Sequence, residues 1–117
     1  MNVVSLGALC DELLASAHAE PGGRAARTLH GDCSLSMRQM AVALVAGRET
    51  DQQGSGSATV QILRGRVRIN ERIDEHIDEQ RTTTELAEGD LAAVPGAAHR
   101  VTSLEDSVVL LSVDLRS

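Results

Sequence analysis

Residues 88–111, EGDLAAVPGAAHRVTSLEDSVVLL, carry the pattern that decides the fold. Glu88-Gly89-Asp90 is a turn signal, Leu91 to Val94 is a short apolar run, and Pro95-Gly96 turns the chain again. Two further runs follow, Arg100 to Ser103 and Val108 to Leu115, separated by the polar corner Leu104-Glu105-Asp106-Ser107. Apolar runs this short, bounded by turn formers and spaced at a period near two, read as strands. A helix would need a longer stretch with a period near 3.6.

The same rhythm extends upstream. Arg24 to Leu29, Met37 to Val45, Ala58 to Leu63, Arg66 to Asn70 and Thr82 to Leu86 are comparable runs, punctuated at Gly31-Asp32, Gly47, Gly54 to Gly56 and Gly65. Many short strands at near-regular spacing predict an all-β sandwich or barrel. Ahead of them, Leu6, Leu9, Cys10, Leu13, Leu14 and Ala17 recur at the spacing of one helical face, with Asp11, Glu12 and Ser16 on the other. Ser5 or Asn2 can cap this amphipathic helix, Pro21-Gly22-Gly23 stops it, and His18 falls near its negative end. The expected organisation is one domain over 1–117, with a helix in 1–20 and a β-barrel over 24–115.

Composition narrows the functions available. The 117 residues are 42% hydrophobic and 24% charged, as in a globular chain. No apolar stretch approaches the roughly 20 residues of a membrane span, and the amino terminus lacks the basic start of a secretory signal. A cytoplasmic protein that does not engage membranes is expected. The net charge is −6, every basic residue is Arg, and there is no Phe, Tyr or Trp. Nucleic acid is therefore not an expected partner, since phosphate attracts a positive surface and single strands need stacking platforms. A pocket without aromatic rings cannot stack a flat ligand, so recognition falls to shape, aliphatic contact and a few polar groups.

Cys10 lies on the helix's apolar stripe and reads as a small buried hydrophobe; Cys33 sits in a turn beside Asp32. The charged stretch NERIDEHIDEQR, Asn70 to Arg81, reads as a solvated hairpin tip that leaves His76 exposed. Arg64, Arg66 and Arg68 alternate with Gly65, Val67 and Ile69, which predicts three guanidinium groups on one face of one strand. Such a ladder is either balanced by acidic neighbours such as Glu85 or Glu88, or an anion site. Nucleophile-elbow, phosphate-loop and HExxH signatures do not occur.

Two segments resemble the conserved boxes of the small single-domain cupins: LVAGRETDQQGSGSATVQILRGRV (Leu44 to Val67) and the opening stretch, Glu88 to Leu111. In the second, Gly89, Pro95 and His99 stand at the family's spacing; in the first, Gly47 and Gly65 frame the Ala-Thr-Val-Gln-Ile-Leu strand. The resemblance, which covers roughly residues 35 to 115, implies a jelly-roll β-barrel, with the helix read from periodicity ahead of it. It also implies a homodimer.

Metal-binding cupins supply two histidines spaced HxH and a glutamate from the first box, and one histidine from the second. Here Gln53 and Ser55 stand where the two histidines would be, and Ser57 or Ala58 where the glutamate would be, so that only His99 remains. A transition metal needs at least three good nitrogen, sulfur or carboxylate ligands. His30, Cys33, Glu49 and Asp51 are the residues that could rebuild a site around His99. The expectation is a non-catalytic barrel that binds a small molecule or is structural, with no metal or other cofactor. Family strand parity points Ala58, Val60 and Ile62 into its lumen, with Gln53 and His99 at the polar end. The alternative is a metal-dependent enzyme of dioxygenase or isomerase type, holding a divalent transition metal through His99 and atypical ligands. A third possibility is an interaction module whose helix docks on a partner.

Overall fold

The structure, a computed structural model, describes residues 1, 3–30, 37–52, 58–71, 82–94 and 99–114, with positions 52, 71, 82 and 114 described in backbone only. The helix α1 spans Leu6–Ala19. Its start is set by backbone geometry: the Leu9 N–H donates to the Ser5 carbonyl, and the Ser5 side chain makes no cap bond. Among the described residues nine strands follow: β1 Arg24–His30, β2 Met37–Leu44, β3 Glu49–Gln52, β4 Ala58–Arg64, β5 Arg66–Glu71, β6 Thr82–Ala87, β7 Leu91–Val94, β8 His99–Ser103 and β9 Ser107–Asp114. Sequence reading found eight of these nine runs, at slightly different limits. It missed β3, whose residues Glu-Thr-Asp-Gln carry no apolar side chain to reveal a period.

The strands form two antiparallel sheets, β1-β2-β9-β4-β7 and β3-β8-β5-β6. Between them lies an apolar core that includes Val42, Leu44, Val60, Ile62, Val67, Ile69, Val101, Val109 and Leu111. Residues of opposite parity in the five-stranded sheet, Ala41, Ala43 and Val108, face the other way and meet Leu9, Cys10, Leu13 and Ala17 of α1. Both faces of that sheet are therefore covered, which is why β2 and β9 read as nearly unbroken apolar runs. Cys10 is 2% exposed, and burial pushes its thiol up, so it stays protonated and packs as a hydrophobe.

At one end tight turns carry the chain between the sheets: residues 45–48, Gly65, 88–90 and 104–106. Ser103 and Ser107, both buried, knit these turns together. The Ser103 hydroxyl donates to the Val45 carbonyl at 2.6 Å and accepts from the Arg48 N–H at 3.1 Å, and the Ser107 hydroxyl accepts from the Arg66 N–H at 3.1 Å. The connections 31–36, 53–57, 72–81 and 95–98 are outside the described residues. His76 and Cys33 belong to those segments.

The arginine ladder expected from alternation does not form. Gly65 is a turn, so Arg64 closes β4 in one sheet while Arg66 and Arg68 belong to β5 in the other. Arg64 pairs with Asp11 of the helix, and Arg68 lies 3.6 Å from Glu85. A glycine at positive φ reverses the chain where period-two counting continues straight through.

His18 is a surface residue near the helix end, as its position suggests, but its partner is specific. Its Nε2 lies 2.6 Å from an Asp106 carboxylate oxygen, and the other Asp106 oxygen accepts the Ala46 N–H at 3.0 Å. These contacts, the backbone N–H first and then the imidazole, hold the Asp106 carboxyl below its ordinary range. Because the folded state lowers this pKa, the stabilisation is present above the unfolded carboxylate value and is lost as pH falls through the folded one. Urea midpoints of wild type and Asp106→Asn should thus differ above about pH 5 and converge as pH falls below about pH 4. A gap that stays constant down to about pH 2 would contradict this.

Among the described residues, no helix is long and apolar enough to cross a membrane.

Candidate functional site

His99 is the first residue of β8, and β8 lies inside its sheet between β3 and β5. It is 9% exposed, and its Nε2 is shut away from solvent. It shares parity with Val101 and Ser103, both buried, so its face of the sheet is the inner one.

Strand register supplies its neighbours. Opposite His99 stands Gln52 of β3 on one side and Glu71 of β5 on the other, and Glu71 is paired in turn with Thr82 of β6. Residues directly opposite in an antiparallel pair occupy the same face. The row Gln52, His99, Glu71, Thr82 therefore crosses the whole sheet at its rim. One step deeper the row is Thr50, Val101, Ile69, Thr84, and the surface has already turned apolar in its centre.

The facing sheet has a matching rim. Ala58 of β4 pairs with Val94 of β7 and Val113 of β9, and Val113 pairs with Arg38 of β2. The next row inward is Ala92, Val60, Leu111, Met40. Because short turns at the far end join β2 to β3, β9 to β8, β4 to β5 and β7 to β6, each strand of one sheet faces its turn-linked partner in the other. Away from those turns, His99 on one sheet thus stands across from the row Ala58, Val94 and Val113 on the other, with exposed Arg38 at the end of that row.

These rows place each residue expected from sequence. Val60 and Ile62 lie in the packed core at 0% and 1% exposure, and Ala58 is half-buried at the rim in the same parity. Gln53 lies outside the described residues. Glu49 and Asp51 occupy the opposite face of β3 from the His99 row: both are exposed, and Arg100 lies 2.7 Å from Asp51 and 3.5 Å from Glu49. They do not rebuild a site around His99. His30 ends the edge strand β1 of the other sheet, in register with Gln39 beyond an irregularity in the ladder. Among the described residues, no group of three or more His, Cys, Asp or Glu side chains converges to hold a metal ion.

Sequence reasoning missed Gln52, Glu71 and Thr82 as neighbours of His99. Long-range register links them, and Glu71 sits at the head of a charged stretch that reads as loop. Its only local signal is that Arg66 to Asn70 can be extended by one residue.

No family model matches this chain, and no curated protein does. Solved structures do. A cupin superfamily protein from Desulfitobacterium hafniense superposes with a TM-score of 0.66 at 14% identity, over 79% of this chain and 77% of that one. A conserved protein of unknown function from Streptococcus pyogenes gives 0.65 at 24% identity, over 84% and 79%. Salicylate 1,2-dioxygenase from Pseudoaminobacter salicylatoxidans gives 0.71 at 21% identity, over 92% of this chain and 31% of that one. At these identities the likeness shows the fold.

Proposed function

We propose that this cupin-fold chain is a small-molecule-binding barrel without a resident metal, and that its ligand is held at the mouth with His99 as the central polar contact. The observation that carries this reading is His99 itself: a buried imidazole on the inner face of its sheet, across from the aliphatic row Ala58, Val94 and Val113, with the acidic residues Glu49 and Asp51 on the outside. An imidazole in such a place can donate or accept a hydrogen bond without a metal. The cytoplasm is the proposed location. The seven-residue β1, an open edge of its sheet, is the proposed site of pairing with a second copy. Light scattering that gives the mass of one chain at micromolar concentration would remove that part.

A fragment library screened by proton–nitrogen correlation spectra tests the main claim. Binding fragments should shift the backbone signals of His99, Val101, Ala58 and Val94 together, and His99→Ala should weaken such fragments by about tenfold, the equivalent of one hydrogen bond of about 1.5 kcal/mol. Shifts confined to the outer charged face of the four-stranded sheet, or fragments indifferent to His99→Ala, would sink it.

A further inference from the structure

We propose that the β1 edge pairs with β3 of a second copy of this chain, so that each four-stranded sheet gains the other copy's β1 as a fifth strand. This rests on the reading of β1 as the pairing edge and specifies what it meets.

The two sheets differ in width. Turns link β2 to β3, β9 to β8, β4 to β5 and β7 to β6 across the sandwich, which leaves β1 with no strand opposite it among the described residues. Register puts Ala26 and Thr28 level with Val42 and Met40, which face the core, yet both are exposed. The overhanging β1 therefore roofs a slot one strand wide beside β3.

Backbone direction fits an added strand. The Gly23 carbonyl accepts the Val45 N–H, so Ala25 and Arg27 turn their polar groups toward β2, while Arg24, Ala26 and Thr28 turn theirs outward. In β3 the Arg48 carbonyl accepts the Ser103 N–H, so Glu49 turns outward, and its carbonyl accepts a bond from the Arg24 guanidinium at 3.3 Å. A backbone N–H of the added strand takes the place of that guanidinium. Both β1 and β3 start at the end where Gly23 meets Val45, so a two-fold axis along the strands lays the partner's β1 parallel to β3 and closes the assembly at two chains.

Charge favours this partner over another β1. The strand β1, RAARTLH, carries two arginines and no acid, whereas β3, ETDQ, carries Glu49 and Asp51 and no base. Arg27 has the outward parity of Ala41, so the partner's Arg27 joins Glu49 and Asp51 on one sheet face, with strands about 4.8 Å apart. Within its own chain Arg27 lies 3.2 Å from Glu12, a contact between exposed side chains that is readily exchanged. Pairing β1 against β1 sets arginines beside arginines instead.

Amide hydrogen exchange on the wild-type protein tests the claim, followed in proton–nitrogen spectra over the concentrations at which light scattering shows two chains associating. The Ala26 and Glu49 N–H groups should both exchange at least about tenfold more slowly in the dimer, since each gains its hydrogen bond only there. Slowing at Ala26 without Glu49 would overturn this inference alone and leave β1 paired with β1. A dimer in which neither slows, or one chain at every concentration, would overturn the reading of β1 as the pairing edge as well. Glu49→Pro adds a second test, because proline is tolerated at the first residue of a strand but cannot donate to an added one. It should give the mass of one chain with an unchanged circular dichroism spectrum; a folded dimer of this variant would contradict the proposal, and the wild-type exchange rates decide if the variant does not fold.

Discussion

Gly65→Ala is expected to cost about 3–5 kcal/mol, a large share of the 5–15 kcal/mol that holds a typical domain folded. Gly65 sits at φ +89°, where a side chain is strained by about 1–2 kcal/mol. More decisively, a Cβ there would run into the Ser107 hydroxyl and the Asp106 carbonyl, and would lie 2.8 Å from the Ser107 Cα. Backbone cannot swing aside as a flexible side chain can, and Ser107 is fixed by its bonds to the Arg66 N–H and the Glu105 carbonyl. Gly47 makes the control. It has nearly the same φ, +85°, but nothing stands within 4 Å of its added Cβ, so Gly47→Ala should cost only the strain, about 1–2 kcal/mol. Urea denaturation followed by far-ultraviolet circular dichroism measures both; the chain has no aromatic fluorophore. Equal, small losses at the two sites would mean that the turn from β4 to β5 yields easily.

Removing residues 1–20 is expected to have an effect of similar size. The deletion uncovers Ala41, Ala43 and Val108 and discards the burial of Leu9, Cys10, Leu13 and Ala17. At about 25 cal/mol per Å² of apolar surface, two fully buried leucines alone contribute roughly 3–6 kcal/mol, an upper figure because the unfolded chain is partly compact. The ion pairs Arg64–Asp11 and Arg27–Glu12 join exposed side chains and add little. The truncated barrel should lose most of its urea resistance and tend to aggregate through the bared face. If its midpoint matched the full-length protein, α1 would be free to serve a partner instead of covering its own sheet.

How far the sequence could be read depended on whether the deciding interaction was local. The helix was legible because Leu6, Leu9, Cys10, Leu13 and Ala17 repeat along one face, and Pro21-Gly22-Gly23 ends the pattern. Most strands were legible because each apolar run is short and closed by a turn former. The second box, with its turn at Gly89 and its His99 at the head of a strand, pointed to the jelly-roll. Two local features misled. Strand β3 is polar throughout, and its partner β8 defines it only through distant hydrogen bonds. The alternation from Arg64 to Arg68 looked continuous because counting residues does not register the reversal at Gly65.

The site was legible only in part for the same reason. His99 could be found from spacing within one segment, and the inward parity of Val60 and Ile62 followed from the family resemblance. The neighbours Gln52 and Glu71 could not, because register between strands is fixed by the whole sheet. Glu49 and Asp51 lie close in sequence to the first box, and a count of donors keeps them as ligand candidates. The structure turns them to the far side of β3, beside Arg100.

Metal content tests the central claim most directly. Protein purified without chelators, and then equilibrated in turn with excess iron(II), manganese, nickel and zinc and desalted, is analysed for bound metal per chain. A barrel in which His99 stands without a full ligand set should retain far less than one equivalent of any of them. One tightly held ion per chain, lost in His99→Ala, would contradict the account and make the metal-dependent enzyme the correct reading.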